Sequence, residues 1–199
     1  MQIVLFDGFD PLDVVAPFEV LAEGAAVAGQ PDEVRLVAVG GPREVVGGTR
    51  GLALRAAAAL DPDAPGYVVV PGASGRSDEI PALLAGVARS PVIPAVRAAL
   101  ANPGVTVATV CGGSLILAMA GLLDGRPAVT NAQGMDALAA TGARPVRARV
   151  VDDGDLVTAA GVTSGLDLGL HLVEREYGPP VALAVEEMFQ YERRGIAWR

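Results

Sequence analysis

The 199-residue sequence contains no lysine, one cysteine and one histidine, and aromatic residues make up only 4% of it. A single cysteine excludes an internal disulfide and any zinc site that needs two cysteines, and a single histidine excludes a histidine-rich metal site. The basic residues are all arginine and form no run, and the net charge is −8. Because nucleic acids and anionic membranes attract basic patches, the composition argues against both as partners.

Long apolar runs are also missing from the N-terminal region. The run at residues 2–6 ends at Asp7-Gly8 and is too short for the core of a signal peptide or for a membrane span. We therefore expect a cytoplasmic protein. Hydrophobic residues make up 51% of the chain and charged residues 19%, which is typical of a globular protein. The length and the absence of a visible linker or repeat predict one domain over residues 1–199.

Segments typical of strands and of helices alternate along the chain. Buried strands are predicted at residues 2–6, 33–39, 67–70 and 105–110, a short strand at 128–130, and antiparallel pairs at 43–46 with 52–56 and at 146–151 with 156–159. Helices are predicted at residues 11–28, 113–120, 133–141 and 164–177, as two short helices within 80–101, and after Pro179. At the start of the first helix, Asp10 can cap and Pro11 suits the first helical position, and the apolar residues available for burial are Leu12, Val15, Val20 and Leu21. This alternation predicts an α/β sandwich with a mainly parallel central sheet.

Two loops follow the central strands, where ligands bind in parallel sheets. The first loop, residues 71–75 (PGASG), offers backbone N–H groups to a developing negative charge. The second, residues 111–114 (CGGS), has the strand–Cys–Gly–Gly–helix pattern of a nucleophile elbow. A helix N-terminus lowers the pKa of a thiol, so we expect Cys111 to be a low-pKa nucleophile rather than an inert buried cysteine.

A cysteine nucleophile needs an acid or a base within reach. His171 lies about two turns into its predicted helix and is poorly placed to approach Cys111, so a core or groove position is expected for it. Asp167 follows Ser164 by three residues, which a helix cap explains. Asp13, at the start of the first helix, and Glu19, nearly two turns further on, remain as candidate acids, although Asp13 also suits the charge of a helix start.

Four segments resemble the DJ-1/PfpI superfamily: residues 12–20 (LDVVAPFEV), 67–72 (YVVVPG), 108–114 (ATVCGGS) and 159–168 (AAGVTSGLDL). The first of them is similar to the branch that holds isonitrile hydratase and the sensor halves of some AraC-type regulators. The resemblance covers nearly the whole chain. It implies one class I glutamine amidotransferase-like domain with a flavodoxin-like three-layer sandwich fold, usually dimeric. A C-terminal tail with Ile196 and Trp198, which a monomer would leave exposed, also favours a homodimer.

The resemblance also implies roles for individual residues. Cys111 is implied as the nucleophile and Asp13 as the acid beside it, with the N–H groups of Ala73 and Gly112 as oxyanion donors. We further expect a substrate-binding role for three more residues: Gly72, Asn131 and Thr163.

Three positions depart from the family pattern. Ala73 stands where the family often has a second glycine, and Asn131 stands where many members carry a histidine twenty residues after the cysteine. The second departure argues against a Cys–His mechanism. Protease-like members have histidine directly after the cysteine and isonitrile hydratases commonly have threonine, whereas this chain has Gly112. Peptidase activity is therefore not expected.

These features predict a Cys-dependent hydratase without cofactor or metal, similar to isonitrile hydratase, that converts a small isonitrile into an N-substituted formamide. An alternative is a glyoxalase or deglycase acting on α-oxoaldehydes through Cys111 and a carboxylate. A third alternative is a non-catalytic sensor of small molecules or redox state. The expected partners are a small-molecule substrate and a second copy of the chain.

Overall fold

The computed structural model describes residues 1–30 and 33–199. Its strands are β1 Gln2–Val4, β2 Arg35–Ala38, β3 Arg43–Val46, β4 Ala53–Ala56, β5 Ala58–Ala59, β6 Gly66–Val70, β7 Val105–Val110, β8 Pro127–Ala128, β9 Arg144–Pro145, β10 Val150–Asp152 and β11 Leu156–Ala159. Its α-helices are α1 Pro11–Val27, α2 Ile80–Val87, α3 Val92–Ala101, α4 Gly113–Met119, α5 Met135–Ala139, α6 Ser164–Tyr177 and α7 Pro179–Phe189. A 3₁₀ turn at Ala132–Gly134 precedes α5.

The central sheet has the strand order β10–β11–β7–β6–β1–β2–β5. All neighbours in it run parallel except β10, which is antiparallel to β11. Helices cover both sides of the sheet: α1, α6 and α7 pack together, while α3 lies on β7 and α2 packs against α4. The predicted α/β sandwich with a mainly parallel sheet is confirmed.

The topology brings three strand ends to one edge of the sheet. From β1 the chain leaves to one side through β2 and returns on the other side through β6, so the order reverses between β1 and β6. The register pairs Ile3 with Val69 and Val69 with Ala108, so β1, β6 and β7 end close together. Ligands of parallel sheets bind at such a reversal point, beyond the carboxyl ends of the strands.

Helix α1 begins as the sequence predicts. Asp10 caps it by accepting a hydrogen bond from the Leu12 N–H at 2.9 Å, and Pro11 takes the first helical position. The expectation that Leu12 and Val15 are buried is wrong, because they are 45% and 37% exposed. The helix turns its other face inward, and Asp13 lies on that buried face.

Helices α1 and α6 approach each other through glycines. A Cβ atom on Gly169 would lie 2.7 Å from the Val20 Cβ, and one on Gly24 would lie 2.4 Å from a Val173 methyl. Neither glycine has space for a side chain, because a valine side chain of the facing helix fills the position that a Cβ atom would take. This contact fixes α1, and with it the position of Asp13.

The capping role expected for Asp167 is wrong. Its carboxylate accepts hydrogen bonds from Arg149 Nε at 2.7 Å, the Tyr191 hydroxyl at 3.0 Å and the Arg194 N–H at 2.8 Å. Asp167 therefore ties the C-terminal segment to α6. His171 is buried and lies 2.8 Å from Asp152, so it has a core partner, as a core position predicts.

Within residues 1–30 and 33–199, no single helix has the length and apolar composition to cross a membrane. The pair α2 and α3, which are bent by 60° relative to each other, has that length and composition only when the two helices are taken together.

We expect Gly169→Ala to destabilise the protein by about 1–3 kcal/mol, because the added methyl group overpacks the contact with Val20. Gly86→Ala in α2 is the matched control, since nothing lies within 4 Å of its new Cβ. Alanine is the better helix former, so the control should gain about 0.5–1 kcal/mol. Urea unfolding measures both free energies, and a loss of stability in both variants or in neither would contradict the glycine contact.

Candidate active site

Cys111 occupies a strained turn between β7 and α4. Its φ angle is +55°, in the left-handed region that few non-glycine residues adopt. The Cys111 N–H donates to the Ala160 carbonyl at 2.8 Å, and its carbonyl accepts from the Thr130 hydroxyl at 2.7 Å. These bonds hold the turn in the geometry of a nucleophile elbow, with the side chain pointing off the sheet edge.

The two strand-end loops pack against each other through their backbones. A Cβ atom on Gly113 would lie 2.2 Å from the Val70 carbonyl oxygen, and one on Gly72 would lie 2.5 Å from the Gly112 nitrogen. Below the turn, the buried Ser114 hydroxyl bonds to Thr109 and donates to the Val129 carbonyl. Glycine at positions 72 and 113 thus allows the approach that brings the PGASG loop to Cys111.

Asp13 is fully buried beside Cys111. Its Oδ2 accepts a hydrogen bond from the Gly72 N–H at 2.9 Å, and the carboxyl group also interacts with the Cys111 thiol. Its Oδ1 has no hydrogen-bond partner among the described residues. Burial, reinforced by the negative charge of Asp10, raises the pKa of Asp13 to about 8. Asp13 is therefore a protonated acid at neutral pH, and it can donate its proton.

The expectation that Cys111 is a low-pKa thiol is wrong. Burial of the sulfur, followed by the negative charge of Asp13, raises the pKa of Cys111 to about 12. Hydrogen bonds from Asn131 and from the Gly112 N–H act in the opposite direction but are weaker. The helix that follows is only seven residues long, and the ionisable groups acting on the sulfur are carboxylates rather than cations. The free site thus holds a thiol and a carboxylic acid.

Asn131 contacts the sulfur from the opposite loop. Its Nδ2 lies 3.5 Å from Sγ of Cys111, while its Oδ1 accepts from the Gln133 N–H at 3.0 Å. The second bond fixes the amide so that its donor faces the thiol. An amide does not titrate, so Asn131 donates a hydrogen bond to the sulfur but moves no proton.

A cavity of about 530 Å³ opens above Cys111. Asp10, Ala73, Gly112 and Asn131 line it near the sulfur. Its walls are mostly apolar and come from α2, α4, α5 and their neighbouring loops: Ile80, Pro81, Leu84, Leu115, Met119, Ala137, Ala140 and Val162. The sequence does not indicate that Asp10 or this apolar wall belongs to a cavity, since the position of Asp10 directly before the helix start indicates only a cap.

Three residues that the sequence offers as candidates for the site do not line the cavity. Gly72 lies outside the cavity lining and acts on Asp13 through its N–H. Thr163 is exposed, and its hydroxyl accepts a hydrogen bond from Arg149 at 2.9 Å, so the structure does not place it with Cys111. Glu19, the other candidate acid, is exposed on α1 and is not part of the cavity lining.

The sheet, the elbow cysteine and the buried carboxyl group define a class of parallel α/β sandwich proteins with a cysteine at the sheet edge. Comparison with known families identifies the class: the chain belongs to the DJ-1/PfpI family, whose model matches residues 1–175.

Curated relatives match over part of their length. Isonitrile hydratase of Pseudomonas putida is 44% identical over 85 residues, which are 43% of this chain and 37% of the hydratase. The HTH-type transcriptional regulator CdhR of Pseudomonas aeruginosa is 39% identical over 88 residues, which are 43% of this chain and 26% of the regulator. The chain thus matches well under half the length of either protein.

Solved structures match nearly the whole chain. A ThiJ/PfpI family protein from Pseudomonas syringae has a TM-score of 0.81 at 28% identity, covering 98% of this chain and 76% of that chain. Drosophila melanogaster DJ-1beta has a TM-score of 0.77 at 20% identity, covering 96% and 97% of the two chains. The second likeness shows the shared fold.

The proton on Asp13 makes stability depend on pH. The folded carboxyl keeps its proton up to its pKa of about 8, whereas the unfolded one loses it near 3.8, so between these values the folded state holds an extra proton. The contribution of Asp13 to the free energy of unfolding must then fall as the pH rises through this window. Asp13→Asn removes this dependence, so its stability relative to the wild type should rise by up to about 1.4 kcal/mol for each pH unit.

Urea unfolding of both proteins at pH 5, 6 and 7 measures this difference. Glu19→Gln makes the equivalent change at an exposed position of the same helix and should show no such trend. A difference between Asp13→Asn and wild type that stays constant with pH would mean that Asp13 is not protonated in the folded protein.

Proposed function

We propose that the protein is a Cys-dependent hydratase of small uncharged isonitriles. The observation that carries the proposal is the pairing of the buried Asp13 carboxyl group with the Cys111 thiol at an apolar cavity. An isonitrile is neutral, and its terminal carbon must receive one proton and one nucleophile. The partial match to isonitrile hydratase supports the same chemistry.

The proposed reaction needs one proton carrier. Sulfur of Cys111 attacks the terminal carbon of R–NC while Asp13 delivers its proton to that carbon, and the thiol proton replaces the one that Asp13 has given. The product is a thioimidate, R–N=CH–S–Cys. Water then adds to the carbon, its protons pass to nitrogen and sulfur, and the C–S bond breaks. The formamide R–NH–CHO leaves, and the free thiol is restored.

The N–H groups of Ala73 and Gly112 have a proposed role in the second step. Both residues line the cavity beside Cys111. Negative charge develops there on oxygen when the water that adds to the thioimidate carbon loses a proton. Backbone donors held in place before the reaction stabilise such charge without reorganisation. Asn131, whose amide donor faces the sulfur, favours the leaving thiolate in the same step.

A sensor function is the second candidate. Its support is the similarity to transcriptional regulators, such as CdhR, over 43% of this chain. A sensor would use the same apolar cavity to hold a small molecule without turning it over. Catalysis differs from sensing in that it requires the proton on Asp13.

The proposal predicts that purified protein converts a neutral isonitrile into its N-substituted formamide, which ¹H NMR detects through the formyl proton. Methylglyoxal, tested in parallel, should give no lactate. Cys111→Ser should abolish formamide formation, because a serine hydroxyl in the same turn is a far weaker nucleophile. Lactate without formamide would replace the proposal by the glyoxalase alternative, and binding of the isonitrile without turnover would favour the sensor.

Asp13→Asn should lower kcat at least about 100-fold with a fold that remains intact, since asparagine accepts the Gly72 hydrogen bond but carries no proton. Glu19→Gln is the matched control and should keep wild-type turnover. Wild-type turnover by Asp13→Asn would exclude the mechanism proposed above.

We also propose that the chain forms a homodimer. Three apolar side chains near the C-terminus are exposed: Ile196 by 95%, Leu183 by 58% and Met188 by 59%. A second copy of the chain would cover this apolar surface. Light scattering should give roughly 40 kDa, twice the 20.1 kDa of one chain. A mass of about 20 kDa at micromolar concentration would contradict the dimer.

A further inference from the structure

Asp10 places a negative charge in the cavity wall beside the reactive pair. Its backbone N–H donates to the Gly72 carbonyl at 3.0 Å, and its carboxylate accepts the Leu12 N–H at 2.9 Å. These bonds hold it next to the loop that contacts Gly112. Its charge acts on both Asp13 and Cys111, where it raises the two pKa values. Asp10 thus influences the reacting atoms without being one of them.

Among the described residues that line the cavity, none is a cation that could balance this charge. Among the described residues that line it, Asp10 is the only charged side chain. The arginine nearest in sequence to the lining loop, Arg76, is exposed and forms ion pairs with Asp78 and Glu79. A carboxylate or phosphate group in the cavity would therefore meet a fixed negative charge between apolar walls that screen it poorly.

We propose that Asp10 is a specificity-determining residue that makes the cavity accept uncharged small molecules and exclude anions. This inference rests on the proposed function for the identity of the reacting substrate, but the charge preference itself concerns any molecule that reaches Cys111. An uncharged ligand is stabilised by contact with the apolar wall and is not repelled by Asp10. An anion is repelled by Asp10, and no cation among the described lining residues offsets that repulsion. Asp10 then determines which molecules the cavity accepts, while Asp13 supplies the proton for the proposed reaction.

Alkylation of Cys111 tests the charge preference without relying on turnover. Iodoacetamide and iodoacetate have similar size and differ in charge, and the chain has one cysteine. Both reagents attack the same thiolate, so the ratio of their rates cancels the effect of thiol pKa, and dividing it by the same ratio for the uncharged thiol β-mercaptoethanol removes the difference in intrinsic reactivity. We expect wild-type protein to favour iodoacetamide by at least about 10-fold, and Asp10→Asn to reduce this preference by about 5-fold or more.

The variants are chosen to preserve the fold. Asparagine caps helices as well as aspartate does, and Asp10→Ser provides a second neutral cap should the first variant be unstable. Glu23→Gln removes one negative charge from α1 about three turns further along, outside the cavity lining, and should leave the preference unchanged. An unchanged preference in both Asp10 variants, or an equal reduction in Glu23→Gln, would overturn the inference.

A substrate pair separates this inference from the proposed function. Isocyanoacetate and its methyl ester carry the same isonitrile group but differ in charge. The wild type should hydrate the ester with a kcat/KM at least about 10-fold higher than that for isocyanoacetate, and this ratio should be smaller in Asp10→Asn. Hydration of both at equal efficiency, with no alkylation preference, overturns the role of Asp10 and leaves the hydratase proposal standing. No hydration of either, with the alkylation preference lost in Asp10→Asn, supports Asp10 and overturns the hydratase proposal.

Discussion

The site depends on the contact between two backbone loops at the end of the sheet. Gly72 and Gly113 have no space for a Cβ atom, so the loops after β6 and β7 touch directly. The contact places the Gly72 N–H where it bonds Asp13 and brings Ala73 to the same cavity as Cys111. A side chain at either glycine would separate the acid, the donors and the thiol at once, because all of them are positioned through these loops.

The same packing explains the protonation state of the pair. Asp13 is fully buried, and it receives a single hydrogen bond from the protein backbone. A carboxylate with so few donors is unstable when buried, so the group retains its proton. Cys111 is subject to the same burial. The helix dipole, which favours a thiolate at exposed helix starts, is outweighed here.

The fold was largely predictable because its signals are local. The β-branched run at residues 67–70, the Asp10–Pro11 helix start and the breaks between α2 and α3 each depend on neighbours in sequence. The elbow at Cys111 was predictable for the same reason. The family resemblance, rather than spacing, indicated Asp13 over Glu19; the structure explains the difference through burial, since Asp13 is enclosed and Glu19 is exposed.

The features that the sequence does not indicate depend on contacts between residues that are far apart in the chain. The raised pKa of Cys111 results from burial in the folded chain and from the charge of Asp13 on α1, Asp167 binds a tail segment more than 20 residues away, and the apolar wall comes from separate helices. Asp10 shows the limit most clearly. Its capping bond is local and was expected, whereas its place in the cavity arises only when the PGASG loop folds over the helix start.

The side chains that line the cavity restrict the reactions that the geometry favours. Hydrolysis of a peptide or an ester requires a thiolate formed beforehand and a cation that stabilises it, and the cavity lining among the described residues contains neither histidine nor arginine. A neutral substrate that takes up a proton at the atom under attack removes both requirements. In the proposed mechanism, the proton from Asp13 makes that atom electrophilic, and the thiol loses its own proton only as the new bond forms. A buried acid beside a buried thiol, which would impair a protease, is for such a substrate the arrangement that the chemistry needs.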